Sequence, residues 1–111
     1  MRIAVATLDG HEVDLHFGQA AAFTVFLVDE RSIEQEKTIL VEKYCSSDPD
    51  HTFHQQRFQA IAEALGDCRA VVSVRIGDLP RQALESAGLT HIAAAGPIEP
   101  ALRSAYQLLT A

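Results

Sequence analysis

The side chains of this chain best suited to chemistry are histidines and cysteines in loops. His16-Phe17-Gly18 lies between two apolar runs, residues 2–8 and 22–29. A histidine in a Gly-flanked loop between buried strands is positioned rather than buried, and it can reach a ligand. His11 follows the Asp9-Gly10 turn of the same loop. Cys45 sits in the polar stretch Tyr44-Cys45-Ser46-Ser47-Asp48-Pro49-Asp50-His51, and His54 comes one helical turn later. Thiolate and imidazole are soft and borderline ligands for zinc, iron and metal–sulfur clusters. Arg75, Ile76 and Gly77 form another loop, whose cation and following helix N-terminus suit an anion.

The elements that must position these groups follow from hydrophobic periodicity. Strands are expected over 2–8 and 22–29, with a hairpin turn at Asp29-Glu30-Arg31-Ser32 and a third strand clearest at 38–41. Residues 45–51 read as a loop. Residues 52–66 read as a helix, because Phe58, Ile61, Ala62 and Leu65 repeat at helical spacing opposite Gln55, Gln59 and Glu63. Gly66 stops it. Residues 69–74 form a strand apolar on both faces, as inside a covered sheet. Asp78 is expected to cap a helix that has Pro80 in its first turn and ends at Gly88. A last strand covers 91–95, Gly96-Pro97 breaks the chain, and a final helix runs from 98 to 110.

Three strands on short connections imply an antiparallel meander, and the later alternation of helix and strand implies parallel crossovers. The expected fold is an α/β three-layer sandwich, a mixed five-stranded sheet with helices on both faces, whose element order matches a ribonuclease-H-like fold. In such sheets ligands bind beyond the carboxyl ends of the parallel strands. That rim should collect Asp9, Gly10, His11 and His16 from the first loop, His51 and His54 from the first helix, Arg75 and Gly77, and Gly96-Pro97. His54 shares the apolar line of Phe58, Ile61 and Leu65, so it points over the sheet. It reads equally as a histidine satisfied by a backbone carbonyl, and His51 as a solvent-exposed residue. His91 is expected at the far end of its strand, structural or facing solvent. Cys68, between a helix and a strand, reads as a small buried apolar residue.

The 111 residues suit one domain, 1–111, with a single core. Nine basic against 15 acidic residues give a net charge of −6, and the cations are scattered. This speaks against nucleic acid and against an anionic membrane surface. No apolar run approaches the roughly 20 residues of a membrane span. Met1 leads straight into a strand-like run, so no signal peptide is read and a cytoplasmic protein with reduced thiols is expected.

Several chemistries fail on the residues. Cys45-x5-His51-x2-His54 could hold a mononuclear zinc or iron, but it lacks the paired cysteines of common structural sites. A two-metal nuclease needs converging carboxylates. Asp9 follows the first strand, but Val71-Val72-Ser73-Val74 supplies none. There is no G-x-S-x-G elbow, phosphate-binding loop or dinucleotide fingerprint. No acid–base pair or partnered nucleophile is identifiable, so a non-enzymatic protein is expected. A rim of histidines, one cysteine and helix N-termini suits holding a cluster.

The chain also resembles the NifX/NifB-C-terminal family of nitrogenase iron–molybdenum cofactor biosynthesis proteins. The resemblance runs through Arg2-Ile3-Ala4-Val5-Ala6 with Asp9-Gly10, then Val13-Asp14-Leu15-His16-Phe17-Gly18-Gln19-Ala20. It continues through Tyr44-Cys45, Leu65-Gly66-Asp67-Cys68-Arg69-Ala70-Val71-Val72, Ile76-Gly77 and Ala87-Gly88-Leu89. It implies a ribonuclease-H-like fold without nuclease activity and a carrier for an iron–sulfur cluster, the iron–molybdenum cofactor or its precursor. On this reading His16 is an iron ligand or donates to cluster sulfide, and Cys45, His51, His54 and His11 are alternative ligands. Phe17, Gly18, Arg75 and Gly77 complete the cofactor-binding set. The partners implied are the cluster and nitrogenase assembly proteins. A docking module without metal is the alternative. The radical-SAM part of full-length NifB is absent, so the resemblance does not extend to cluster synthesis.

Overall fold

A computed structural model describes residues 1–41 and 55–111, and for 55–57 the backbone alone. The expected roles of Cys45, His51 and His54 lie outside the described residues.

The strands are β1 (Arg2–Val5), β2 (Glu12–Val13), β3 (Ala22–Val28), β4 (Ile33–Leu40), β5 (Ala70–Ser73), β6 (Thr90–Ala93) and β7 (Gly96–Pro97). The helices are α1 (Gln55–Ala64), α2 (Asp78–Ser86) and α3 (Ile98–Thr110), with a short 3-10 turn at Phe17–Gln19. The main sheet has five strands in the order β4-β3-β1-β5-β6. β3 is antiparallel to β1 and β4, whereas β5 is parallel to β1 and β6. This is the mixed sheet expected from the sequence.

Alternation along the strands splits the core in two. Ala4, Phe23, Val25 and Val71 face Phe58, Ile61 and Leu65 of α1 and Leu84 of α2. Ile3, Val5, Phe26, Val28 and Val72 face Ile98, Leu102 and Ala105 of α3. Burial on both faces explains why β1 and β5 are nearly continuous apolar runs.

The third strand begins earlier than its apolar part suggested. Its middle, Glu34–Thr38, is exposed because β4 is an edge strand, where charged residues are favoured. The register steps from Val25–Lys37 to Phe26–Gln35, leaving Glu36 as a bulge. That extra residue turns Ile33 toward the α3 cluster and Ile39 toward the other. Arg2 Nε donates to Glu36 Oε1 at 2.8 Å and fixes the bulge against β1.

Two local expectations are corrected. Gly77, not Asp78, is the cap of α2: Gly77 is extended at φ −71°, ψ 159°. Its carbonyl accepts the Arg81 N–H, so Asp78 is the first helical residue. Gly96-Pro97 does not simply break the chain. It pairs as β7 with β2, Glu12 opposite Pro97 and Val13 opposite Gly96. Gly96 reaches this geometry at φ +92°, a conformation costly for other residues.

Candidate functional site

The carboxyl ends of β1, β5 and β6 open into three loops, residues 6–21, 74–77 and 94–97. Backbone hydrogen bonds join them into one rim. Phe17 N–H donates to the Arg75 carbonyl at 2.8 Å, and Val74 N–H to the Leu15 carbonyl at 2.9 Å. Ile98 N–H donates to the His11 carbonyl at 3.0 Å, and the β2–β7 pairing adds a further link. The sequence-predicted Arg75 loop and His16 loop are therefore in direct contact.

The first loop is stiffened by its own polar side chains. Asp9 Oδ1 accepts the His11 N–H at 2.8 Å and the Glu12 N–H at 3.3 Å, while Thr7 Oγ1 accepts the Gly10 N–H at 3.0 Å. The His11 amide holds the Asp9 carboxyl below its ordinary range. Asp14 Oδ1 accepts the Leu8 N–H, and Gln19 Oε1 accepts the His16 N–H at 3.0 Å. Sequence reasoning missed these roles of Asp14 and Gln19, although short polar side chains beside Asp9-Gly10 are the usual sign of such turns.

The HFG tripeptide divides its labour. Phe17 is 1% exposed, its ring in the core 5.7 Å from that of Phe23. It anchors the loop rather than presenting a face to a ligand. Gly18 is buried and His16 is exposed. The anchor on one side and the Gln19 clasp on the other hold His16 at the surface. Beside it a cleft of about 510 Å³ is lined by Thr7, Leu8, Leu15, Gly18, Gln19, Ala21 and Ala22.

Arg75 is exposed, and among the described residues its guanidinium has no ion-pair partner. Gly77 is exposed at the entry to α2. The helix N-termini contribute less than expected to an anion. The α3 amide of Ile98 is spent on His11, and the first turn of α2 carries Asp78 and the donor-less Pro80. His11 lines one cleft with Phe26, Ile33, Ile98 and Arg103 on the α3 side, and another with Thr7, Leu8 and Ala22, residues that also line the cleft beside His16. Among the described residues no three His, Cys, Asp or Glu side chains converge as a metal site. Cys68 is buried as expected, and burial pushes its thiol up.

His91 is neither free nor solvent-facing. It is half-buried, and its Nε2 lies 2.6 Å from Oγ of the fully buried Ser73. Ser73 Oγ lies 3.0 Å from the Arg75 carbonyl oxygen. No spacing in the sequence pairs these residues, because they belong to neighbouring parallel strands.

Residues 1–108 match the family model described as dinitrogenase iron-molybdenum cofactor. A FeMo cofactor biosynthesis protein NifB from Chlorobaculum tepidum is 34% identical over 104 residues, covering 94% of this chain and 23% of the relative. The NifB of Rhizobium meliloti is 37% identical over 106 residues, covering 94% of this chain and 21% of the relative. The chain thus spans under a quarter of the length of these curated relatives. A Thermotoga protein described as a candidate NifB protein has the same fold, with a TM-score of 0.64 at 13% identity, over 96% of this chain and 87% of its own. With the whole sheet and every rim loop inside the matched span, the chain belongs to the dinitrogenase iron–molybdenum cofactor family.

Proposed function

We propose that this chain is a non-enzymatic, cytoplasmic carrier of an iron–sulfur cluster, the iron–molybdenum cofactor or a precursor, and that its sandwich is of the ribonuclease-H-like type. The observation that carries the reading is an exposed His16 on a loop clamped by backbone hydrogen bonds to the loop that bears Arg75, whose exposed guanidinium has no ion-pair partner among the described residues. Imidazole is a competent iron ligand, and an unpaired cation offsets the negative charge of a metal–sulfur cluster. Attachment through few, exposed groups suits cargo that must be released. Cys45, His51 and His54 are the further ligands this reading offers.

The test is anaerobic incubation with an isolated iron–sulfur precursor, followed by desalting, iron per chain and a visible spectrum. A carrier retains several irons per chain with a charge-transfer band, and His16→Ala loses most of them while staying folded. No retained iron on a folded protein sinks the reading, and a single retained ion identifies a mononuclear binder instead. A docking module for an assembly partner is favoured by Leu8, 79% exposed on the loop that carries His16. Partner capture that persists without cluster and fails in Leu8→Ser would establish it.

A further inference from the structure

We propose that Ser73 and His91 are positioning residues that set the His16 loop through the Arg75 carbonyl. Val71 lies opposite His91 in the parallel β5–β6 register, so His91 shares the face covered by α1 and α2. From there its Nε2 reaches Ser73 Oγ at 2.6 Å. The Ser73 hydroxyl has one hydrogen, and its geometry donates it to the Arg75 carbonyl at 3.0 Å. His91 must then carry its proton on Nε2 and donate to Oγ. The Arg75 carbonyl takes a second donor, the Phe17 N–H at 2.8 Å, so both of its lone pairs are used. A directed chain results, from the His91 ring through the Ser73 hydroxyl to the carbonyl that holds the residue next to His16.

The chain has an alternative setting. With the His91 proton on Nδ1, Nε2 becomes an acceptor and the Ser73 hydroxyl turns away from Arg75. Phe17 is then the carbonyl's remaining donor, and cooperative polarisation along the chain is lost. A doubly protonated ring can only donate, so it holds the first setting. His91 is bonded to Ser73 from β5, and the charge that bears on its ring among the described residues is Arg81 of α2, itself paired with Glu85 at 3.2 Å and Asp78 at 3.9 Å. Ser73 is fully buried, so its pairing with histidine serves geometry here and offers no nucleophile to a substrate.

This inference rests on His16 as the cargo contact only for its functional meaning, and the test uses the cargo-free protein. The readouts are hydrogen exchange at the Phe17 amide and the ring nitrogen chemical shifts of His91. Ser73→Ala and His91→Phe should speed Phe17 exchange by about tenfold relative to β3 amides. His91→Gln, whose amide can still donate, should restore most of the protection. A purely structural role would move the β3 amides equally and show no rescue by glutamine. In the unmodified protein the ring nitrogen chemical shifts at neutral pH should show the His91 proton on Nε2, which keeps the idea testable if a variant fails to fold. A neutral ring protonated on Nδ1, or exchange unchanged in folded Ser73→Ala, overturns the relay. Cargo retention, measured separately, decides the carrier reading without touching this result.

Discussion

Phe17 and Arg75, far apart in the chain, meet through one hydrogen bond: the Phe17 N–H donates to the Arg75 carbonyl at 2.8 Å. It fastens the β1–β3 connection to the β5–α2 connection. It also joins the loop that exposes His16 to the loop that exposes Arg75. The Phe17 side chain meanwhile fills the core next to Phe23. One residue thus ties site geometry to fold stability.

Phe17→Ala should therefore be costly in both respects. Removing a fully buried ring leaves a cavity as well as lost transfer energy, about 3–5 kcal/mol. Urea unfolding should show that loss in the midpoint. Phe17→Leu keeps apolar volume and should lose clearly less. Equal stability of the alanine variant and the parent would mean that the ring does not anchor the loop.

Two rim glycines should respond in opposite ways. Gly96 sits at φ +92° with nothing within 4 Å of an added Cβ. Gly96→Ala thus meets only backbone strain, about 1–2 kcal/mol, and should loosen the β2–β7 pairing. Gly77 has an ordinary φ of −71°, and its added Cβ would touch Pro80 at 3.5 Å, normal van der Waals contact. Gly77→Ala should stay within about 0.5 kcal/mol of the parent. Thermal melts of the two variants decide this. Because the Gly77 variant stays folded, any cargo it fails to retain reports on the site itself.

Much of this arrangement was legible in the sequence. The start of α3 follows from the Gly96-Pro97 break, the apolar face of α1 from its helical period, and β1, β3 and β5 from apolar runs. The pairing of His16 and Arg75 loops follows from the rule that ligands gather at the carboxyl ends of parallel strands. What stayed hidden depends on tertiary contact. The Glu36 bulge is invisible in an exposed polar edge strand, where no apolar alternation marks the register. A two-residue ladder such as β2–β7 leaves no periodicity at all. Ser73 and His91 become neighbours only once β5 and β6 align in parallel, so the sequence left His91 without its partner.

Burial of His91 gives a prediction in pH. Desolvation, then the positive charge of Arg81, lowers the His91 pKa below its ordinary 6.5. The unfolded chain then takes up this proton before the native protein does. The stability linked to His91 is complete above pH 6.5 and declines as pH falls toward the folded pKa, below which it levels off. Denaturant midpoints measured through this window should drop with falling pH, and His91→Gln should flatten that segment. The carboxylates with lowered values, Asp9, Asp29 and Glu36, act in a separate and more acidic window. An unchanged slope in His91→Gln would show that His91 is not the group responsible.

Arg75 supplies the last prediction, because its proposed contribution is charge rather than packing. Its side chain is exposed, so Arg75→Gln should leave the melting temperature nearly unchanged. Retention of an anionic cluster should nevertheless weaken, by roughly two- to tenfold for one partly screened charge. Salt should reproduce the effect. The parent protein should lose cargo as ionic strength rises, and the glutamine variant should lose it less steeply, since the screened interaction is already gone. Arg75→Lys keeps the charge and should fall between the two. Parallel salt dependences for the parent and the glutamine variant would remove Arg75 from the site and leave His16 to hold the cargo without it.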